Sequence, residues 1–358
     1  MVEAMEYRVL LKKDIRVWVE WLMGKGELHA PVAKSASHPQ YQFEKISQPD
    51  TVCLDYATTI LPPKQCVQPV RETLIRFDRV ANQFTLSDQV PERRLHIIFG
   101  IHTCDIHAFN FLNTVMRDGN ADTQFLARSA NTAIIGLRCR QHCDDKSFCE
   151  SMGTNEPPDT GYDILMTDIG DRYFLELANE RAAKLVDDLS CIPHTGDEDV
   201  VKWRQMLADS KKNFDRRLSI NIEELPAYCE ANYHSPMWDV IGKKCVACGS
   251  CTLVCPTCYC FDIRDELDMS LQGGERYRVW DSCQLGEFAA VAGGVNFRRD
   301  RRDRQRHRVH RKVKYPKERY NLFACVGCGR CSRACIADIQ MLDILRQLGA
   351  KSHEFQRT

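Results

Sequence analysis

Apolar residues in the first part of the chain come in short runs separated by charged stretches. LHIIFGI (residues 95–101) and NTAIIGL (131–137) are continuous and rich in isoleucine, the pattern of strands buried on both faces. Between them, HTCDIHAFNFLNTVM places Ile106, Phe109, Leu112 and Val115 on one helical face. YDILMTDIGDRYFLEL reads as a hairpin turning near Gly170. DYATTILPPKQCVQPVRETLIRF is punctuated by Pro62, Pro63 and Pro69, which predicts an extended loop with a helix starting near Val70. Further on, FDIRDELDMSL (261–271) reads as helical. IADIQMLDILRQLG carries a stripe of Ile336, Ile339, Leu342 and Leu345 at helical spacing that ends at Gly349. The expected fold class is α+β: an N-terminal α/β domain over residues 1–225, then an α-helical ferredoxin-like domain over 226–358.

Composition narrows the function. The 358 residues are 44% hydrophobic, enough for an ordinary core, and 49 Lys plus Arg balance 49 Asp plus Glu. A neutral chain does not turn its whole surface towards nucleic acid or anionic membrane. The apolar runs fall short of a membrane span, and MVEAMEYRVLLKKD has no uninterrupted apolar segment of the kind a secretory signal needs. The expectation is a cytoplasmic protein without a membrane span. In a reducing compartment, regularly spaced cysteines point to metal before disulfides.

There are 19 cysteines, and they cluster. Cys245, Cys248, Cys251 and Cys255 are spaced C-x2-C-x2-C-x3-C, and Cys325, Cys328, Cys331 and Cys335 repeat the spacing. This is the bacterial ferredoxin run, in which the fourth cysteine ligates the other cluster. The reading is therefore two 4Fe–4S clusters: one on Cys245, Cys248, Cys251 and Cys335, the other on Cys325, Cys328, Cys331 and Cys255. Glycines beside the cysteines (Gly249, Gly327 and Gly329) suit the tight loops such a site needs. Structural zinc, which asks for two pairs closing one tetrahedron, fits two identical runs of four less well. Pro256 follows the first run, whereas Ile336 stands at that place in the second.

A looser group, Cys104, Cys139, Cys143 and Cys149, follows the two apolar strands. If those strands are neighbours, Cys104 and Cys139 emerge at one edge of the sheet. The residues alone leave three readings open: a third cubane, a zinc ion helped by His102, His107 or His142, or plain loop thiols. Cys258, Cys260 and Cys283 lack an obvious fourth donor and read as neighbours that pack against the clusters and tune them. Cys53, Cys66, Cys191 and Cys229 stand alone and read as packing residues. NFRRDRRDRQRHRVHRK (296–312) reads first as cations offsetting anionic clusters or meeting another protein of a complex, then as a solvated helix face, and only distantly as a nucleic-acid site.

Taken together, TTILPPKQCVQPVRETLIRFD, FGIHTCDIHAFNFL, FCESMGT, PMWD, KCVACGSCTLVCPTCYCFD, RVWDSCQ, AGGVNFR and ACVGCGRCSRAC resemble the iron–sulfur β subunit of cytosolic sulfhydrogenases, the soluble NiFe hydrogenases. The chain is also similar to the corresponding iron–sulfur component of anaerobic sulfite reductase. The resemblance spans nearly the whole chain. It implies an electron-transfer subunit without substrate chemistry of its own, placed between two partners: a flavin, NAD(P)-binding diaphorase subunit on one side, and on the other a NiFe hydrogenase or other reductase subunit. A place in a sulfite reductase or heterodisulfide-reductase-like complex is the sibling reading, and a cluster-stabilised nucleic-acid-binding protein the distant one. The resemblance also implies a second cysteine near position 147, where this chain has Ser147.

Overall fold

The computed structural model describes residues 6–34, 40–80, 83–88 and 94–355. Its strands are β1 (Glu6–Leu11), β2 (Glu27–Ala33), β3 (Tyr41–Lys45), β4 (Arg71–Val80), β5 (Gln83–Asp88), β6 (His96–His102), β7 (Thr132–Leu137), β8 (Ile164–Asp168), β9 (Arg172–Leu177), β10 (Phe261–Leu267) and β11 (Gly273–Trp280). A seven-stranded sheet runs in the order β1-β9-β8-β7-β6-β2-β3. Its centre, β2, β6, β7 and β8, is parallel, and its outer pairings are antiparallel. The central strands are almost wholly buried, as continuous apolar runs require. The helix Thr103–Arg117 returns across the sheet with Ile106, Phe109 and Leu112 buried. β8 and β9 form the expected hairpin.

Two expected helices are strands. The segment from Val70 is β4, and FDIRDEL is β10. Together with β5 and β11 they make a four-stranded antiparallel sheet in the order β10-β11-β4-β5. Cross-strand pairing with a distant segment outweighs local helix propensity here. The sheet is tied down by charge: Arg278 donates to Glu72 at 2.6 Å and pairs with Asp122, and Arg128 pairs with Glu72. The cluster-motif region is thus helical with a β-hairpin between its two cysteine runs, rather than purely helical.

A second apolar core holds the two motif loops. Leu218, Leu225, Trp238, Val309, Val313, Leu342, Leu345 and Leu348 pack together there. The last helix spans Met341–Phe355 and runs through Gly349 instead of ending at it; a Cβ there would stand 2.3 Å from Ile220 Cγ2, so glycine serves close packing rather than termination. Ile339, Leu342 and Leu345 are buried as the stripe predicts, but Ile336 precedes the helix and is 79% exposed. Among the described residues, no helix is long and apolar enough to cross a membrane.

His310, on the helix Arg301–Val313, is buried among Tyr233, Trp238 and Tyr315. Burial, then Lys314 and Arg306, push its pKa down to about 4. The folded value lies below the unfolded value of about 6.5, so its contribution is complete above that pH and is lost as pH falls towards 4. Urea unfolding of the full chain at pH 7 and pH 5 should show a loss of about 2 kcal/mol from this residue, and His310→Gln should flatten the slope by that amount.

Candidate metal centres

The two cysteine runs follow the same backbone path. The first begins where the helix Met237–Lys244 ends, turns at Ala247 (φ 57°) and Gly249 (φ 81°), and enters the one-turn helix Ser250–Leu253. The second turns at Gly327 (φ 64°) and Gly329 (φ 74°) and enters Arg330–Arg333. Both left-handed turns recur, but the first is taken by alanine in one run and glycine in the other. The second run cannot carry a side chain there: a Cβ on Gly327 would stand 2.6 Å from the Phe148 carbonyl and 2.7 Å from the Cys149 backbone.

Each expected donor set gathers around its own cavity. Cys245, Cys248, Cys251 and Cys335 line one, with Gln284, Gln305 and Arg308. Cys255, Cys325, Cys328 and Cys331 line the other, with Thr257, Arg308, Lys312 and Met341. The fourth cysteine of each run therefore crosses to its partner's cavity, and Cys251 borders both. Among the described residues, no three cysteine sulfurs lie within 4.8 Å of one another. One tetrahedral zinc, with Zn–S near 2.3 Å, would need them closer. Four thiols ringing one cavity suit a cubane, which takes one sulfur at each corner iron.

The surrounding groups are arranged for sulfur carrying negative charge. Gln305 donates its amide to Cys245 Sγ at 2.9 Å, Ala247 N donates to the same sulfur at 3.3 Å, and Ile339 N donates to Cys335 Sγ at 3.3 Å. Arg308 is buried between the two cavities; burial opposes its charge, but Cys251 and Cys331 push its pKa up. Lys312, equally buried, donates to Thr257 Oγ1 at 2.7 Å, and against burial Cys255 and Cys258 raise it. Cys255 is held well below the usual thiol range by a hydrogen bond with Cys258, against burial, and by Lys312. Burial pushes Cys251 and Cys328 up to about 11, so filling the cavities displaces protons. The arginine-rich stretch is the source of these groups: Arg304, Gln305, Arg308 and Lys312 form the buried face of the helix Arg301–Val313. Their i, i+4, i+8 recurrence (304, 308, 312) was visible in the sequence, where charge count masked it. Lys64 and Arg330 carried no such signal.

The looser group is drawn into one neighbourhood. β6 and β7 are parallel neighbours, so Cys104 and Cys139 leave the same edge of the sheet. Cys139 feels the charges of Cys143 and Cys149, and Cys104 those of Cys328 and Cys139. The four split between two surroundings. Cys139 and Cys143 line a polar cavity with His102 and His142, and Cys143 donates to Ala57 O at 2.8 Å. Cys104 is packed with Val326 and Cys328 of the second run. Cys149 lies 4.0 Å from His142 Nδ1. Ser147 is fully buried and donates to Asp144 O at 2.9 Å, a local turn bond. The buried pair Arg330–Asp105, at 2.6 Å, stands beside both this group and the second run, with the Arg330 charge near Cys328 and Cys104. Cys258, Cys260 and Cys283 line a third cavity, and Cys258 also lines the cavity of the second run, the neighbouring place expected of it.

The 4Fe-4S dicluster domain family matches residues 244–339. Sulfhydrogenase 2 subunit beta of Pyrococcus furiosus is 32% identical over 324 residues, covering 90% of this chain and 92% of that protein. No solved structure matches the chain.

The unequal turns give a direct test. Gly327→Ala should destabilise the holoprotein by about 1–3 kcal/mol and lower its iron content, since the left-handed turn and the Phe148–Cys149 contact both oppose a Cβ. Ala247→Gly should leave iron content unchanged. Equal thermal shifts for the two variants would contradict the packing described.

Proposed function

The chain belongs to the family of the sulfhydrogenase beta subunit, and from that premise we propose that it is the electron-transfer iron–sulfur subunit of a cytoplasmic multi-subunit redox complex. In this reading Cys245, Cys248, Cys251 and Cys335 hold one 4Fe–4S cluster, and Cys325, Cys328, Cys331 and Cys255 hold the other. Cys104, Cys139, Cys143 and Cys149 hold a third beside the second. The observation that carries the reading is the pair of thiol-ringed cavities with a shared wall and exchanged fourth cysteines. When bound, such clusters take up and release single electrons.

The protein's own residues set the conditions for that relay. Gln305 and the amides of Ala247 and Ile339 bond to donor sulfurs, which favours the more reduced state. Arg308 does the same for both cavities at once. Cys104 next to Cys328 gives the third set a path to the second cavity, and exposed Cys248 brings the first cavity to the surface. The relay would therefore run from the large sheet to the surface beside Cys248. The partners implied are a flavin, NAD(P)-binding diaphorase subunit on one side and a NiFe hydrogenase subunit on the other.

Anaerobic isolation of the native complex should yield brown protein with cubane signals on reduction, co-purifying with flavin and nickel. A sirohaem partner would instead assign it to a sulfite reductase, and a colourless or zinc-loaded chain would sink the relay. Arg308→Met should lower the reduction potentials of both ferredoxin-type clusters by on the order of 50–100 mV, because a nearby positive charge that favours the added electron is gone. Arg308→Lys should restore most of the shift. Redox titration followed by EPR measures both.

A further inference from the structure

We propose that Cys258, Cys260 and Cys283, completed by His307, hold a further iron–sulfur centre, separate from the two ferredoxin-type sets and from the group around Cys139. The three thiols line a cavity of about 380 Å³ with His307, Arg298, Arg311 and Lys312. The chain path explains the meeting. Cys258 and Cys260 lie two residues apart in the segment that leads into β10, and Cys283 follows β11. The β10–β11 hairpin pairs Phe261 with Trp280, and Asp281 N then donates to Cys260 O at 3.0 Å, which brings Cys283 back beside Cys260.

The walls ask for an anion. Arg298 Nε is buried without a hydrogen-bond partner. Arg311 lies over the Tyr259 ring at 4.8 Å, and Lys64, itself buried, donates to the Cys258 carbonyl at 2.5 Å. The His307 imidazole makes no hydrogen bond among the described residues, which leaves its nitrogens free to donate to a metal. No three of these donor atoms lie within 4.8 Å of one another, too wide for a single ion but suited to a cluster with sulfur of its own. Cys258 and Lys312 also border the cavity of the second cysteine run, so the new centre would adjoin it.

The test uses the anaerobically isolated full chain in its complex, with iron, acid-labile sulfide and pulsed EPR as readouts. Cys283→Ser should lose about four iron and four sulfide per chain while the ferredoxin-type signals persist. The wild type should carry a nitrogen coupling that His307→Gln removes. Unchanged iron in Cys283→Ser overturns the proposal, and so does a wild type without that coupling. If Cys283→Ser does not accumulate, the coupling and its loss in His307→Gln decide alone. Loss of signals in Cys335→Ser bears only on the relay reading, so the two failures are distinguishable.

Discussion

Sulfur that is to carry negative charge inside a protein must be matched by positive charge and hydrogen bonds brought to the same place. That constraint organises the C-terminal part of this chain. Arg308 and Lys312 are removed from water and face the donor sulfurs, and Arg330 is held by Asp105 with its charge near Cys328 and Cys104. An isolated buried cation would cost several kcal/mol; here each stands against thiols that favour its charge. The same demand explains why one of the most charged segments of the sequence forms a buried helix.

The large sheet contributes more than a platform. Its parallel edge delivers Cys104 and Cys139, and the segment after β7 lays its backbone against the second motif loop, with Phe148 N donating to Gly327 O at 2.7 Å and Thr154 Oγ1 to Val326 O at 2.6 Å. The four-stranded sheet joins residues from before and after the first motif, so the halves of the chain are interleaved around the cavities. Lys64, over the Trp280 ring at 4.1 Å, belongs to that seam.

Much of this was legible in the sequence. The spacing of the two cysteine runs singled out the eight thiols that line the two cavities, and the isoleucine-rich runs predicted β6 and β7. What could not be read depended on partners far away in sequence. RETLIRF and FDIRDEL carry too many charges for a buried alternation, because their sheet faces solvent widely: Phe84, Leu86, Ile263 and Leu267 are all exposed. Their identity as strands follows from pairing with each other's hairpins, which no local pattern encodes. Cys258, Cys260 and Cys283 looked incomplete for a similar reason, since His307 reaches their cavity from a different element.

The interleaving has a consequence for how the chain matures. Gly273 pairs with Asp78 across 195 positions (273 minus 78), and the first cavity lacks its fourth sulfur until Cys335 has emerged, 80 positions beyond Cys255 (335 minus 255). Contacts of such long range form late, because loop-closure entropy must be met first. A nascent chain on the ribosome thus exposes three thiols of the first run with nothing to close them. With the ligand sets proposed above, iron delivery has to wait for, or coincide with, synthesis of the second run, and in that interval the open thiols are vulnerable to oxidation and to scavenging by stray metal.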